Sequence, residues 1–146
     1  MVSHTITMNP IITESHSESQ VNVRGIVDRI VRYQKPETLK DLNEIALLDN
    51  SIEDVGFGCY RKTDRRIEIY LDPILKWQPW ILKKTYLFPF ITIAMTVAHE
   101  LDHHVNRDNH TLDSERSAEK NMFTYIYPAV GIFRPILKLI HHFTRK

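Results

Sequence analysis

The sequence PFITIAMTVAHELDHHV, residues 89–105, joins an apolar run to a group of ionisable side chains. No residue that breaks helices follows Pro89, and proline is tolerated at the first position of a helix. The pattern therefore predicts one helix over residues 89–105. Its apolar residues would bury the helix and hold its polar end rigid; they are Ile93, Ala94, Val97, Ala98, Leu101 and Val105.

The polar end of this predicted helix has the pattern His-Glu-x-x-His at residues 99–103. His99 and His103 are four residues apart, so both imidazoles project from one helix face and can bind one metal ion. Glu100 lies beside them, where its carboxylate can accept a proton from a water molecule that zinc has acidified. The pattern predicts a zinc site with two histidine ligands and Glu100 as general base. The alternative is a pair of exposed histidines next to an unrelated glutamate.

A catalytic zinc site needs a third protein ligand and keeps a fourth position open for water. The downstream residues with suitable side chains are His110, Asp113, Glu115 and Glu119. Glu115 and Glu119 share one face of a helix predicted from residue 113 or 114 to about residue 127. We favour Glu115 as the ligand and Glu119 as a residue that orients a ligand histidine. Two solvated glutamates paired with Arg116 and Lys120 are the alternative.

The rest of the chain alternates helix and strand patterns. Residues 21–33 predict an amphipathic helix, and another is predicted from residue 133 or 134 to residue 143. Residues 56–71 predict a β-hairpin, and residues 39–48 fit either a short helix or a strand. We expect an α+β fold with a small, mainly antiparallel sheet and helices packed on one side. Residues 1–20 predict a flexible N-terminal arm, followed by a single domain over residues 21–146.

Composition restricts the class of protein. The chain has 146 residues, a formal net charge of +1 and an apolar fraction of 42%, which excludes fibrous and wholly disordered proteins. The balanced charge argues against nucleic acid as a partner. The lone Cys59 cannot form an internal disulfide, and neither a signal peptide nor a membrane-spanning run is visible, so we expect a cytoplasmic protein. Cys59 itself is expected to be a small buried residue.

The motif at residues 99–103, followed by the sequence ERSAE at residues 115–119, resembles the gluzincin clan of zinc metallopeptidases. The similarity is especially to the compact minigluzincins and to the soluble catalytic cores of membrane-bound relatives. In that clan a second helix carries the pattern Glu-x-x-Ala-Asp/Asn, which Glu115 and Ala118 match and from which Glu119 departs. The clan also has an edge strand before the motif helix, against which an extended peptide lies, and residues 66–71 resemble it. The resemblance covers roughly residues 56–127.

This resemblance implies a zincin-like fold and the hydrolysis of peptide bonds in a peptide or protein substrate. Glu100 would take a proton from a zinc-activated water molecule and return it to the leaving amine. Candidate donors to the oxyanion that forms are Tyr60, Tyr125, Tyr127 and His110. The alternative function is a non-catalytic zinc-binding interaction module on the same fold. A purely structural zinc site would not need Glu100, which favours the enzyme.

The C-terminal segment has an apolar face beside a basic one. The apolar residues are Ile136, Leu137, Leu139, Ile140 and Phe143. This face can pack onto the core, contact a membrane surface, or cover the cleft and keep the isolated chain latent, as happens in some compact relatives. We favour packing onto the core.

Overall fold

A computed structural model describes residues 9–16, 21–50, 56–77, 87–109, 114–131 and 134–144 of the chain. These residues form, in order, β1 (Ile11–Ser15), α1 (Val23–Arg32), α2 (Pro36–Leu39), β2 (Glu44–Leu48), β3 (Gly58–Arg61), β4 (Arg66–Tyr70), α3 (Leu71–Trp77), α4 (Leu87–Val105), α5 (Ser114–Val130) and α6 (Arg134–Thr144). The protein is therefore α+β, as the sequence predicts. None of the described helices is long and apolar enough to cross a lipid bilayer.

The strands form one sheet in the order β1-β2-β4-β3. β1 and β2 are parallel, β2 and β4 are parallel, and β3 and β4 are antiparallel. The prediction of a mainly antiparallel sheet is therefore wrong. The two helices α1 and α2 separate β1 from β2 in the chain, and a crossover of this kind lets consecutive strands run parallel. The sequence pattern revealed only the local hairpin, because a short turn over residues 62–65 links β3 directly to β4.

The predicted hairpin over residues 56–71 is confirmed as β3 and β4. The strand expected at the edge of the sheet is not at the edge, however, because β4 pairs with β2 on one side and with β3 on the other. Ile67 and Ile69 of β4 and Ile45 of β2 have no exposed surface, as is typical of central strands. Within the described residues, the edge strand next to the motif helix is β3.

Residues 11–15 belong to the sheet, although the sequence predicts a flexible arm over residues 1–20. β1 pairs with β2 along its whole length, from Ile11 opposite Glu44 to Ser15 opposite Leu48. The hydroxyl of Thr13 also donates a hydrogen bond to the carboxylate of Glu44. Ile11 is 68% exposed because β1 lies at the sheet edge, and its half-polar sequence therefore did not indicate a strand.

The motif helix α4 lies at the centre of the protein and contacts α1, α5, β3 and β4. Five of the six residues predicted to bury it have no exposed surface: Ile93, Ala94, Val97, Ala98 and Leu101. The sixth, Val105, is the last residue of α4 and is 42% exposed, so the prediction is wrong there. Burial on several sides holds the polar end of α4 in a fixed orientation.

The hairpin approaches α4 most closely at Gly58. A Cβ atom at this position would lie 2.8 Å from Cγ2 of Thr96 and 3.2 Å from Cγ of Glu100. Any larger residue would have to push β3 away from α4. The absence of a side chain at residue 58 therefore brings the edge strand directly over the motif helix.

The C-terminal helices differ in how well they are packed. α5 packs along α4 and continues through Pro128 to Val130, beyond the predicted end near residue 127. α6 packs against α5, yet Ile136 is 41% exposed and Leu139 is 58% exposed. Packing of the apolar face of α6 onto the core, which the sequence analysis favours, is therefore wrong for these two side chains.

Candidate metal centre and its cleft

The two motif histidines lie one helical turn apart on α4 and face each other. Their Nε2 atoms are 3.1 Å apart, and the ring planes are inclined at 73°. Both side chains are partly exposed, at 22% for His99 and 18% for His103. Helical spacing accounts for this arrangement, since residues four apart on an α-helix lie above one another.

The first turn of α5 brings Glu115 to the same point. Its carboxylate oxygens lie 3.2 Å from Nε2 of His99 and 3.2 Å from Nε2 of His103. Ligand atoms of the three residues all lie within 4.8 Å of one another. The three residues predicted as metal ligands are therefore brought together, although Glu115 is twelve residues beyond His103 in the chain.

The geometry of this ligand triad, His99, His103 and Glu115, fits a zinc ion. Four ligands at about 2.0–2.2 Å in a tetrahedron are separated from one another by roughly 3.3 Å. The two Nε2 atoms are 3.1 Å apart, and each lies 3.2 Å from a different oxygen of Glu115, which is close to that value. Two imidazoles and one carboxylate are also a donor set of catalytic zinc sites, which leave the fourth position to water.

Protonation favours the same interpretation. Burial lowers the pKa of His103, while the negative charge of Glu115 acts in the opposite direction and His99 lowers it further. The imidazole is therefore held in its neutral form, which is the form that binds a metal ion.

Glu100 is the buried carboxyl group of the site, with 6% of its surface exposed. Burial raises its pKa to about 7, and the negative charge of Glu115 acts in the same direction. The backbone N–H of Tyr60, on the edge strand β3, donates a hydrogen bond to the carboxylate and opposes the shift. A carboxyl group with a pKa near neutrality can both accept and donate a proton at that pH.

Asp102 faces α5 and is 1% exposed. Its carboxylate accepts hydrogen bonds from Nδ2 of Asn121 at 3.2 Å, from the hydroxyl of Tyr125 at 3.0 Å and from Ser117 at 3.4 Å. Burial and the charge of Asp102 together raise the pKa of Tyr125. We call Asp102 and its three partners the Asp102 cluster. Sequence reasoning missed it, although polar residues at positions 117, 121 and 125 form one stripe along α5.

His104 supports the edge strand. Its Nε2 lies 2.9 Å from the carbonyl oxygen of Lys40, and its Nδ1 lies 3.0 Å from the hydroxyl of Tyr60. A carbonyl oxygen only accepts, so Nε2 carries the proton and Nδ1 accepts a hydrogen bond from Tyr60. Burial lowers the pKa of His104, which keeps the ring neutral.

These contacts reduce the choice of oxyanion donors. The hydroxyl of Tyr60 is bonded to His104, and that of Tyr125 to Asp102. Tyr127 packs its ring against Phe123. His110, the remaining candidate, and Asp113, an alternative metal ligand, lie outside the described residues.

The ligand triad borders a cleft of about 520 Å³. The edge strand forms one wall through residues 58–60, and the polar end of α4 forms another through His99, Glu100 and His103. The rest of the lining that the described residues provide comes from the start of α5 and from Lys62, Asn106, Arg107 and Asn109. Cys59 is half-buried here, where the sequence predicted a buried residue.

A smaller apolar hollow of about 260 Å³ adjoins the cleft. It shares Gly58, His99 and Glu100 with the cleft and is otherwise lined by Phe57, Met95, Thr96 and Met122. A polar groove beside an apolar hollow suits a peptide, whose main chain needs hydrogen bonds while an apolar side chain needs a dry surface.

Glu119 and the C-terminal helix α6 both lie away from the ligand atoms and the cleft lining of the described residues. Glu119 is exposed and is not among the described residues whose ligand atoms converge. None of the described residues that line the cleft belongs to α6.

Comparisons with family models, with curated proteins and with solved structures found no match for this chain.

Proposed function

We propose that this chain is a zinc-dependent metallopeptidase with a zincin-like fold of the gluzincin type. One observation carries the proposal: three ligand atoms from two helices converge beside a cleft, next to the buried carboxyl group of Glu100. The edge strand β3 also supports the proposal. Gly58 allows this strand to lie close to α4, so that a peptide added to its edge would lie beside the ligand triad.

In this proposal the ligand triad holds the ion through two histidine nitrogens and the carboxylate of Glu115. A bound zinc ion would lower the pKa of a coordinated water toward about 7 and polarise the carbonyl group of a substrate. The ion would be fixed by side chains on two packed helices, which favours a rigid site.

Glu100 is the proposed general base. It accepts a proton from the attacking water, whose oxygen forms the new bond to the scissile carbonyl carbon. When the C–N bond breaks, Glu100 gives that proton to the departing nitrogen. The backbone N–H of Tyr60 donates a hydrogen bond to this carboxylate, which lines the cleft.

The substrate is proposed to bind along β3. Among the described residues, this strand pairs only with β4, and residues 58–60 line the cleft. An extended peptide can add to such an edge through main-chain hydrogen bonds. β3 thus takes the part that the sequence analysis assigned to residues 66–71. The apolar hollow beside His99 would accept an apolar side chain next to the scissile bond.

The first experiment measures zinc per chain in the unmodified protein and in ligand variants. We expect about one zinc ion per chain, loss in Glu115→Ala and in either histidine-to-alanine variant, and retention in Glu119→Ala. Glu119→Ala is the matched control, since it removes the same side chain one helical turn away. Absence of zinc from the unmodified protein, even after reconstitution, would refute the proposal.

The second experiment tests turnover on a library of quenched fluorescent peptides. Glu100→Gln should keep its zinc and lose about 10²–10⁴-fold in kcat/KM, because general acid–base catalysis contributes that much. A zinc-loaded protein that cleaves no peptide in the library would instead support the non-catalytic zinc-binding module.

A further inference from the structure

Charge is distributed unevenly along this chain. Residues 120–146 contain five Lys or Arg residues and neither Asp nor Glu, whereas residues 1–119 contain 14 basic and 18 acidic residues. The formal net charge of +1 therefore conceals a basic C-terminal segment attached to an acidic body. Such a segment is attracted to anionic surfaces even though the whole protein is nearly neutral.

The helix in this segment, α6, is amphipathic. Its apolar residues at positions 136, 137, 139, 140 and 143 fall on one side of a helix, and Arg134, Lys138 and the two histidines fall on the other. Ile136 and Leu139 are 41% and 58% exposed, and Arg134 and Lys138 are exposed as well. Apolar side chains that project into water at the border of a basic face are typical of helices that bind lipid surfaces.

We infer that α6 is a docking surface for an anionic lipid membrane. The helix would lie in the plane of the interface, with Ile136 and Leu139 inserted below the headgroups and Arg134 and Lys138 beside the anionic headgroups. Its 11 residues extend for about 16 Å, roughly half of the hydrocarbon thickness, so the helix lies on the bilayer and does not cross it.

None of the described residues that line the cleft belongs to α6, so docking through α6 leaves that lining uncovered. Because α6 packs against α5, a docked α6 would hold α5 and its residue Glu115 at the membrane surface. Docking would then place the cleft near proteins at the membrane surface. The docking itself does not depend on the proposed peptidase activity.

The lipid surface is favoured over a second copy of this chain by charge. A second copy carries the same positive charge in this segment and no acidic residue after Glu119, so pairing of two α6 helices gains no electrostatic attraction. An anionic membrane offers an apolar interior for Ile136 and Leu139 and a negative surface potential that attracts the basic segment.

The test is co-sedimentation of the full chain with vesicles of phosphatidylcholine, with and without phosphatidylserine, at low and high salt. We expect binding only to the vesicles with phosphatidylserine, and weaker binding at high salt. Ile136→Ser with Leu139→Ser should reduce the partition coefficient at least about tenfold, because neither side chain can then bury an apolar surface in the membrane. Both side chains are exposed, so the variant should fold, and circular dichroism checks this.

The matched control is Ile11→Ser, which removes a 68% exposed apolar side chain from the edge strand β1 and should leave vesicle binding unchanged. Equal binding of the double variant and the unmodified protein would overturn the inference. Equal binding to vesicles without phosphatidylserine would overturn the role of charge. A dimer in light scattering that the double variant abolishes, without vesicle binding, would assign the surface to a second copy.

Discussion

The helices α4 and α5 meet at two polar contacts of opposite character. In the Asp102 cluster, one buried carboxylate accepts hydrogen bonds from three donors, so every group has a partner within the protein. In the ligand triad, two imidazole nitrogens lie 3.1 Å apart, and each lies 3.2 Å from a different oxygen of Glu115, beside the cleft. The first contact is a closed set of hydrogen bonds that stabilises the fold, whereas the second is the contact that we propose to be completed by a zinc ion.

The largest effect is expected from the Asp102 cluster. Asp102→Ala removes the carboxylate that accepts hydrogen bonds from the hydroxyl of Tyr125 and the amide of Asn121. The loss of this buried acceptor should lower the free energy of unfolding by about 3 kcal/mol. The stabilisation by added zinc should remain, because Asp102 contributes no ligand. Urea denaturation with and without zinc measures both quantities. Loss of zinc binding in a variant that is still folded would contradict the separation of the two contacts.

A slightly smaller effect is expected from the ligand triad. Zinc at a hundred times its dissociation constant should raise the free energy of unfolding by about 2.7 kcal/mol, because the ion binds the folded chain only. Glu115→Ala should abolish this increment and change the metal-free stability little, since the side chain is 76% exposed. Thermal unfolding with chelator and with zinc measures the difference. An undiminished increment in this variant would remove Glu115 from the site.

The next prediction concerns the pH dependence of the metal-free protein. Burial raises the pKa of Glu100 from an ordinary value of 4.5 to about 7, so between these values the folded chain holds a proton that the unfolded chain has released. The contribution of Glu100 to stability should therefore fall as pH rises through this window, whereas the lowered pKa values of His103 and His104 make their contributions rise with pH. Glu100→Gln cannot ionise, and its advantage over the unmodified protein should grow to at most about 3 kcal/mol. A constant difference across the window, measured with chelator present, would contradict the burial of an ionising carboxyl group.

The smallest effect is expected from a single donor of the Asp102 cluster. Ser117→Ala removes the longest of the three hydrogen bonds, at 3.4 Å, and should lower the free energy of unfolding by less than about 1 kcal/mol. Asn121→Ala should have the larger effect, because its amide bonds both Asp102 and Ser117. Paired urea titrations rank the two variants, and the reverse order would contradict the geometry of the cluster.

The parts of the molecule that the sequence predicts correctly are local. The spacing of His99 and His103 follows from the helical repeat, and the start of α5 near residue 114 follows from the polar segment before it. The hairpin of β3 and β4 was visible because both strands and their turn lie within 14 residues. The sequence favours Glu115 over Glu119 as the third ligand without deciding between them. Of these two glutamates, the packing of α5 brings Glu115 to the histidines.

The sheet was predicted less well because strand order depends on contacts between distant segments. β1 has a half-polar sequence that also fits a loose arm, and only its pairing with β2 makes it a strand. β4 alternates in the way an edge or a central strand can, and only β2 on its second side decides between them. Pairing of this kind depends on the whole tertiary arrangement more than on local preference.

By itself, the sequence determined the chemical groups of this protein and their spacing along each helix, because side-chain direction in an α-helix follows directly from residue number. Only the tertiary structure decided which groups meet and in what environment. It placed Glu115 against the histidines and buried Glu100 beneath the edge strand. It also brought hydrogen-bond donors from α5 to the carboxylate of Asp102. Those outcomes depend on the packing of α5 and β3 against α4, because that packing removes the carboxyl group of Glu100 from water and raises its pKa above the ordinary value.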